Sequence, residues 1–107
     1  MALEHKNIQD LADQIADAFH PQSIVLFGSQ AYGSPDGASD IDLLVVMPFE
    51  GKSTHKALEI MRQIKPRVAV DLIVRTPEDV RQRLALNDYF LKEIMEKGKV
   101  LYESARV

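Results

Sequence analysis

Apolar residues recur at helical spacing near the start of the chain: Ile8, Leu11, Ala12, Ile15 and Phe19, with Asp10, Asp13, Gln14 and Asp17 between them. The pattern predicts an amphipathic helix with Asn7 as its cap, stopped by Pro21 soon after His20. The period then shortens. "SIVLF", Ser23 to Phe27, is a run of strand formers, and "IDLLVV", Ile41 to Val46, is a second. Helical spacing returns at Ala57, Ile60, Met61 and Ile64, in a helix that opens near Ser53 or Thr54 and closes at Pro66. "VAVDLIV", Val68 to Val74, is a third strand. "TPED" starts the next helix, with Thr76 as cap, Pro77 in the first turn and Asp79 reaching back. That helix runs through Phe90, Leu91 and Ile94 to a stop at Gly98, with a break at Asn87. "KVLY", Lys99 to Tyr102, reads as a short edge strand.

The order is helix, strand, strand, helix, strand, helix, strand. It predicts an α/β (α+β) fold: a small mixed sheet of about four strands with helices packed on it. The 107 residues are expected to form a single domain, residues 1–107, with no repeat or linker. A chain of this length buries roughly 60–70% of the surface it exposes when unfolded, enough for one core.

Composition narrows the class. Hydrophobic residues make up 46% and charged residues 27%, as in ordinary globular proteins. There is no cysteine, which excludes disulfides and thiolate metal sites and fits a reducing cytoplasm. The opening "MALEHKNIQD" has no basic segment followed by an apolar core. No apolar run approaches the roughly 20 residues of a membrane helix. The expectation is a cytoplasmic protein without membrane contact. A net charge of −3 argues against duplex nucleic acid as a partner. A nucleotide bound here is expected as a small molecule held through metal.

One stretch breaks the apolar pattern. The second strand carries Asp40 and Asp42, one residue apart. Strand alternation puts both on one face, about 7 Å apart at the backbone, with Ile41, Leu43 and Val45 on the other. Two such charges repel and raise each other's pKa unless a cation lies between them. Oxygen ligands without His or Cys suit Mg²⁺ or Mn²⁺ rather than zinc. Asp71 interrupts the third strand in the same way, on the face opposite Val68, Val70, Leu72 and Val74. If the two strands pair, three carboxylates meet, a set that holds two divalent ions for displacement at phosphorus. Asp71 also fits a charge that protects an edge strand.

Upstream, Gly28 ends the first strand and "SQAYG" reads as a helical turn. Gly28 lets the backbone approach a ligand. The free amides of the turn and the Ser29 hydroxyl suit a phosphate. "GSPDGAS" then returns the chain to Asp40. The bland reading of Gly28-Ser29 is a strand end. His5, His20 and His55 are scattered surface residues, and Arg62, Lys65 and Arg67 a solvated face. Tyr32, beside the site, suits stacking on a base or facing a partner.

Gly28-Ser29, ten residues, then Asp40-Ile41-Asp42 resembles the signature of the DNA polymerase β-like nucleotidyltransferase superfamily. The string Gly28-Ser29-Gln30-Ala31-Tyr32-Gly33 with Ser39-Asp40-Ile41-Asp42-Leu43 resembles its minimal nucleotidyltransferase branch, over nearly the whole chain. The resemblance implies transfer of a nucleoside monophosphate, AMP from ATP, to a hydroxyl. Two Mg²⁺ would be held by Asp40, Asp42 and Asp71, with Asp71 helping to deprotonate the acceptor. Gly28 and Ser29 would hold the triphosphate, joined by Gln30. Many members have Arg at that position, so Gln30 removes a cation near the phosphates. The branch also implies a partner: a helical HEPN-type toxin with ribonuclease activity, for which the small protein is the antitoxin. An inactive binding module that neutralises such a toxin by occlusion is the alternative.

Overall fold

The computed structural model describes residues 5–28, 31 and 40–104. Eight elements follow one another: α1 (His5–Phe19), β1 (Ser23–Phe27), β2 (Ile41–Val46), α2 (Ser53–Ile64), β3 (Val70–Arg75), α3 (Pro77–Ala85), α4 (Tyr89–Lys97) and β4 (Lys99–Glu103). The strands form one sheet in the order β3-β2-β1-β4. β1 runs antiparallel to both β2 and β4, and β2 pairs with β3 in parallel. The mixed sheet with packed helices is the architecture predicted from the pattern.

Each strand divides its side chains between two helix layers. Ile24, Leu26, Ile41, Leu43, Val45 and Val74 face α1 and α2, where they meet Ile8, Leu11, Ala12, Ile15 and Ile60. Val25, Phe27, Leu44 and Val46 face α3 and α4, where they meet Val80, Leu91 and Ile94. β2 is therefore buried on both faces beyond Asp42, which its unbroken run Leu43 to Val46 already encodes. Burying a leucine or isoleucine side chain contributes about 1.5–3 kcal/mol. The Gln9 side-chain amide donates to the Leu101 carbonyl at 2.9 Å, tying α1 to edge strand β4.

The element ends correct the sequence reading in three places. α1 already spans His5 onwards, so Asn7 lies inside it rather than capping it. β3 begins at Val70, not Val68, because β2 offers no partner earlier; Ile41 N–H donates to the Ala69 carbonyl at 3.0 Å and opens the ladder. The break expected at Asn87 divides the third helix into α3 and α4. Asn87 takes a positive φ of 60°, and the Asp88 carboxylate then accepts from Leu91 N–H at 3.1 Å to cap α4. That bond, first among its causes, holds the Asp88 carboxyl below its ordinary pKa. Thr76 caps α3 as expected, accepting from Asp79 N–H at 3.0 Å, while the Asp79 carboxylate goes to Arg83 at 3.0 Å and Arg75 at 3.5 Å. Gly98 does close α4, but at φ −71°. A Cβ there would press on the Ile94 and Leu26 carbonyls, at 2.5 and 2.9 Å. Gly98 is therefore required by space rather than by backbone handedness.

Candidate active site

The parallel register of β2 and β3 sets Asp42 directly beside Asp71, and the antiparallel register of β1 and β2 sets Phe27 on its other side. Asp40 lies immediately before β2. The sequence condition that the two aspartate strands pair is met. All three carboxylates belong to the face that, further along, is covered by α3 and α4. Asp40 and Asp71 are exposed and Asp42 is half-buried. Burial, then repulsion from Asp71 and from Asp40, raises the Asp42 pKa above its ordinary value. The three charges thus act on one another at Asp42.

They are not gathered on a point. Among the described residues, no three His, Cys, Asp or Glu side chains form a cluster able to hold a metal ion. The donor chemistry nonetheless fits hard divalent cations, because every donor is a carboxylate oxygen. Asp40 and Asp71 are exposed and free to change rotamer toward a cation that offsets the repulsion. β3 is also an edge strand, so Asp71 serves as an edge charge whatever else it does.

Gly28 is fixed by this cluster. Its φ is +76°, and a Cβ at this position would collide with the Asp42 carboxylate. The sequence reading reserved its lack of a side chain for a ligand; in the folded chain the close neighbour is Asp42 itself. Ala31 N–H donates to the Gly28 carbonyl at 3.0 Å, a tight turn, and Ala31 is buried on the α1/α2 side. Ser29, Gln30, Tyr32 and the rest of residues 32–39 lie outside the described residues.

Two aromatic residues near the carboxylates had no place in the sequence-derived site. Phe27, the register partner of Asp42, meets Phe90 edge to face, with ring centroids 5.6 Å apart and planes at 89°. Phe90, read only as part of the last helix, is half-exposed. Strand alternation from Asp42 across to Phe27 was the available signal; nothing in the spacing placed α4 over it. The remaining candidates stay apart. His20 and His55 are exposed. Lys65 and Arg67 line a groove of about 640 Å³ with Asp10 and Gln14, between α1 and the α2–β3 connection. Among the described residues, no helix is long and apolar enough to cross a membrane.

The profile of the family described as Polymerase beta, Nucleotidyltransferase matches residues 6–106. Among solved structures, a Sulfolobus solfataricus protein, described only provisionally as a nucleotidyltransferase, is similar with a TM-score of 0.58. It is 24% identical over 72% of this chain and 70% of its own, a likeness that speaks for the fold. No curated protein matches the chain significantly.

Proposed function

The chain belongs to the polymerase beta nucleotidyltransferase family, and we propose that it transfers AMP from ATP to a hydroxyl on a partner protein. One observation carries the reading: Asp42 and Asp71 stand in register on adjacent strands, with Asp40 close enough to act on Asp42. A protein with no chemistry to perform there has no reason to hold three repelling carboxylates on one face.

In this reading Asp40, Asp42 and Asp71 hold Mg²⁺, with Mn²⁺ as a substitute. The two ions would neutralise the phosphates and stabilise the attacking and leaving oxygens. Asp71 accepts the proton of the acceptor hydroxyl. The hydroxyl oxygen bonds to the α-phosphorus as the bond to the β-phosphate oxygen breaks, and pyrophosphate leaves. Gly28 sets the strand-end backbone against Asp42, with Ser29 and Gln30 beside it on the triphosphate. The acceptor is a helical HEPN-type toxin, the protein its cytoplasmic antitoxin; the family resemblance and the lack of cysteine support this. The alternative is an inactive module that occludes the toxin, favoured by the ungathered carboxylates.

The test is joint binding. ATP with Mg²⁺ should raise the melting temperature by about 10–20 °C at saturation, because a ligand at a hundred times its Kd adds about 2.7 kcal/mol. Either alone should do far less. Asp40→Asn with Asp42→Asn should lose the joint shift and reduce label transfer from ATP to the partner by about 10³-fold or more. Full transfer by the double variant would sink the assignment. A wild type with no shift at millimolar ATP and Mg²⁺ would leave the occlusion module standing.

A further inference from the structure

Three of the most exposed large apolar side chains come from one corner of the molecule. At the α3–α4 junction, Leu86 is 81% exposed, Tyr89 82% and Phe90 50%. Phe90 differs from its neighbours in being held. It lies beside Leu91 and one turn before Ile94, both buried, so α4 is anchored and Phe90 forms its rim. The start of α4 is fixed by the Asp88 cap, and Asp88 pairs with Arg83 at 3.5 Å. Arg83 in turn holds Asp79, which holds Arg75 at the end of β3. Phe90 contacts the buried Phe27 and keeps half of its surface exposed.

An exposed aromatic side chain thus adjoins the cross-strand row Phe27, Asp42, Asp71, through the contact of Phe90 with Phe27. Phe27 and Asp42 face each other on antiparallel strands, about 5 Å apart at the backbone, and Phe90 is one ring contact beyond Phe27. That arrangement suits a nucleoside triphosphate, whose charged end belongs at the carboxylates and whose other end is a flat ring. We infer that Phe90 is the platform on which the base of the bound nucleotide stacks, with the sugar crossing Phe27. The inference rests on the nucleotidyl-transfer reading and adds to it the residue that holds the base. Stacking between an aromatic side chain and a base is sequence-tolerant, because every base offers a ring face. A docked protein acceptor would use the same corner differently, engaging Leu86 and Tyr89 and leaving nucleotide affinity alone.

The experiment compares two probes in the presence of Mg²⁺: ATP, and inorganic tripolyphosphate, which has no base. Calorimetric affinities are measured for the wild type, Phe90→Leu and Phe90→Trp, each checked by its melting temperature. Phe90→Leu keeps an apolar rim but removes the ring. It should weaken ATP by about 5- to 100-fold, the range of base–aromatic stacking, and change tripolyphosphate by less than about twofold. Phe90→Trp should retain ATP affinity. Equal weakening of both probes would show a structural role and overturn the inference. So would unchanged ATP affinity in Phe90→Leu, with or without loss of partner binding. A wild type that binds tripolyphosphate as tightly as ATP ends this inference and leaves nucleotidyl transfer standing. A wild type that binds neither ends both.

Discussion

On the α1/α2 side, the sheet is covered along its length: Ile41, Leu43 and Val45 of β2 are all buried under α1 and α2. On the α3/α4 side, the same strand buries Leu44 and Val46 but leaves Asp42 half-buried. The second helix layer consists of two nine-residue helices, α3 and α4, separated at Asn87, where φ is positive. One face therefore serves packing throughout, and the other is divided between packing and charge. A single strand supplies both because its alternation lets Leu43 and Leu44 differ in every neighbour while sharing a backbone.

The sharpest way to break this comparison is to cut each core from the same strand. Leu43 and Leu44 are both fully buried. Leu43→Ala opens a cavity in the larger α1/α2 core and should cost about 3–5 kcal/mol; Leu44→Ala should cost about 2–3, since its smaller layer collapses more readily. Urea unfolding of the two variants measures the difference. A larger loss from Leu44→Ala would mean that the α3/α4 side carries more of the stability than its burial implies.

A smaller effect tests how tightly the charged end is built. Gly28→Ala meets both a left-handed backbone and the Asp42 carboxylate, and should cost about 1–3 kcal/mol. In an Asp42→Ala background the collision disappears and only the backbone cost of about 1 kcal/mol remains. The double-mutant cycle should therefore be non-additive. Strict additivity would remove the contact between Gly28 and Asp42.

The smallest effect concerns charge alone. The folded-state pKa of Asp42 is raised, so its ionisation costs stability once the pH exceeds that value. Below the ordinary 3.8 the group is protonated in both states and costs nothing. As the pH rises through the raised pKa the folded protein loses stability, and the deficit persists to neutral pH. In metal-free buffer Asp42→Asn should thus raise the melting temperature at pH 7, and the gain should vanish in acid. A gain that grew toward low pH would reverse the assignment. Mg²⁺ should narrow it at pH 7 by stabilising only the carboxylate form.

The strands were legible because each is a short run of β-branched and apolar residues between turn formers, and Asp42 and Asp71 were legible as exceptions within such runs. Their adjacency was not, since register across a parallel pair is written in no local pattern. Gly28 was found for its backbone freedom, and its closeness to Asp42 was not: a sequence shows freedom of backbone but not what approaches it. Phe90 was legible only as part of a helix, because helical spacing marks a stripe and not where its rim falls. The first turn of α1 was missed because the apolar stripe starts at Ile8, leaving His5 to Asn7 without a periodic signal.

The pairing of β2 with β3 also dictates when the site comes into being. β1 and β2 are joined along an antiparallel hairpin, whereas Asp42 meets Asp71 only after α2 has crossed between parallel strands. Contacts across such a crossover are entropically costly and form late. Asp40 already lies two residues from Asp42 in the chain, so only the repulsion from Asp71 is deferred until this crossover closes.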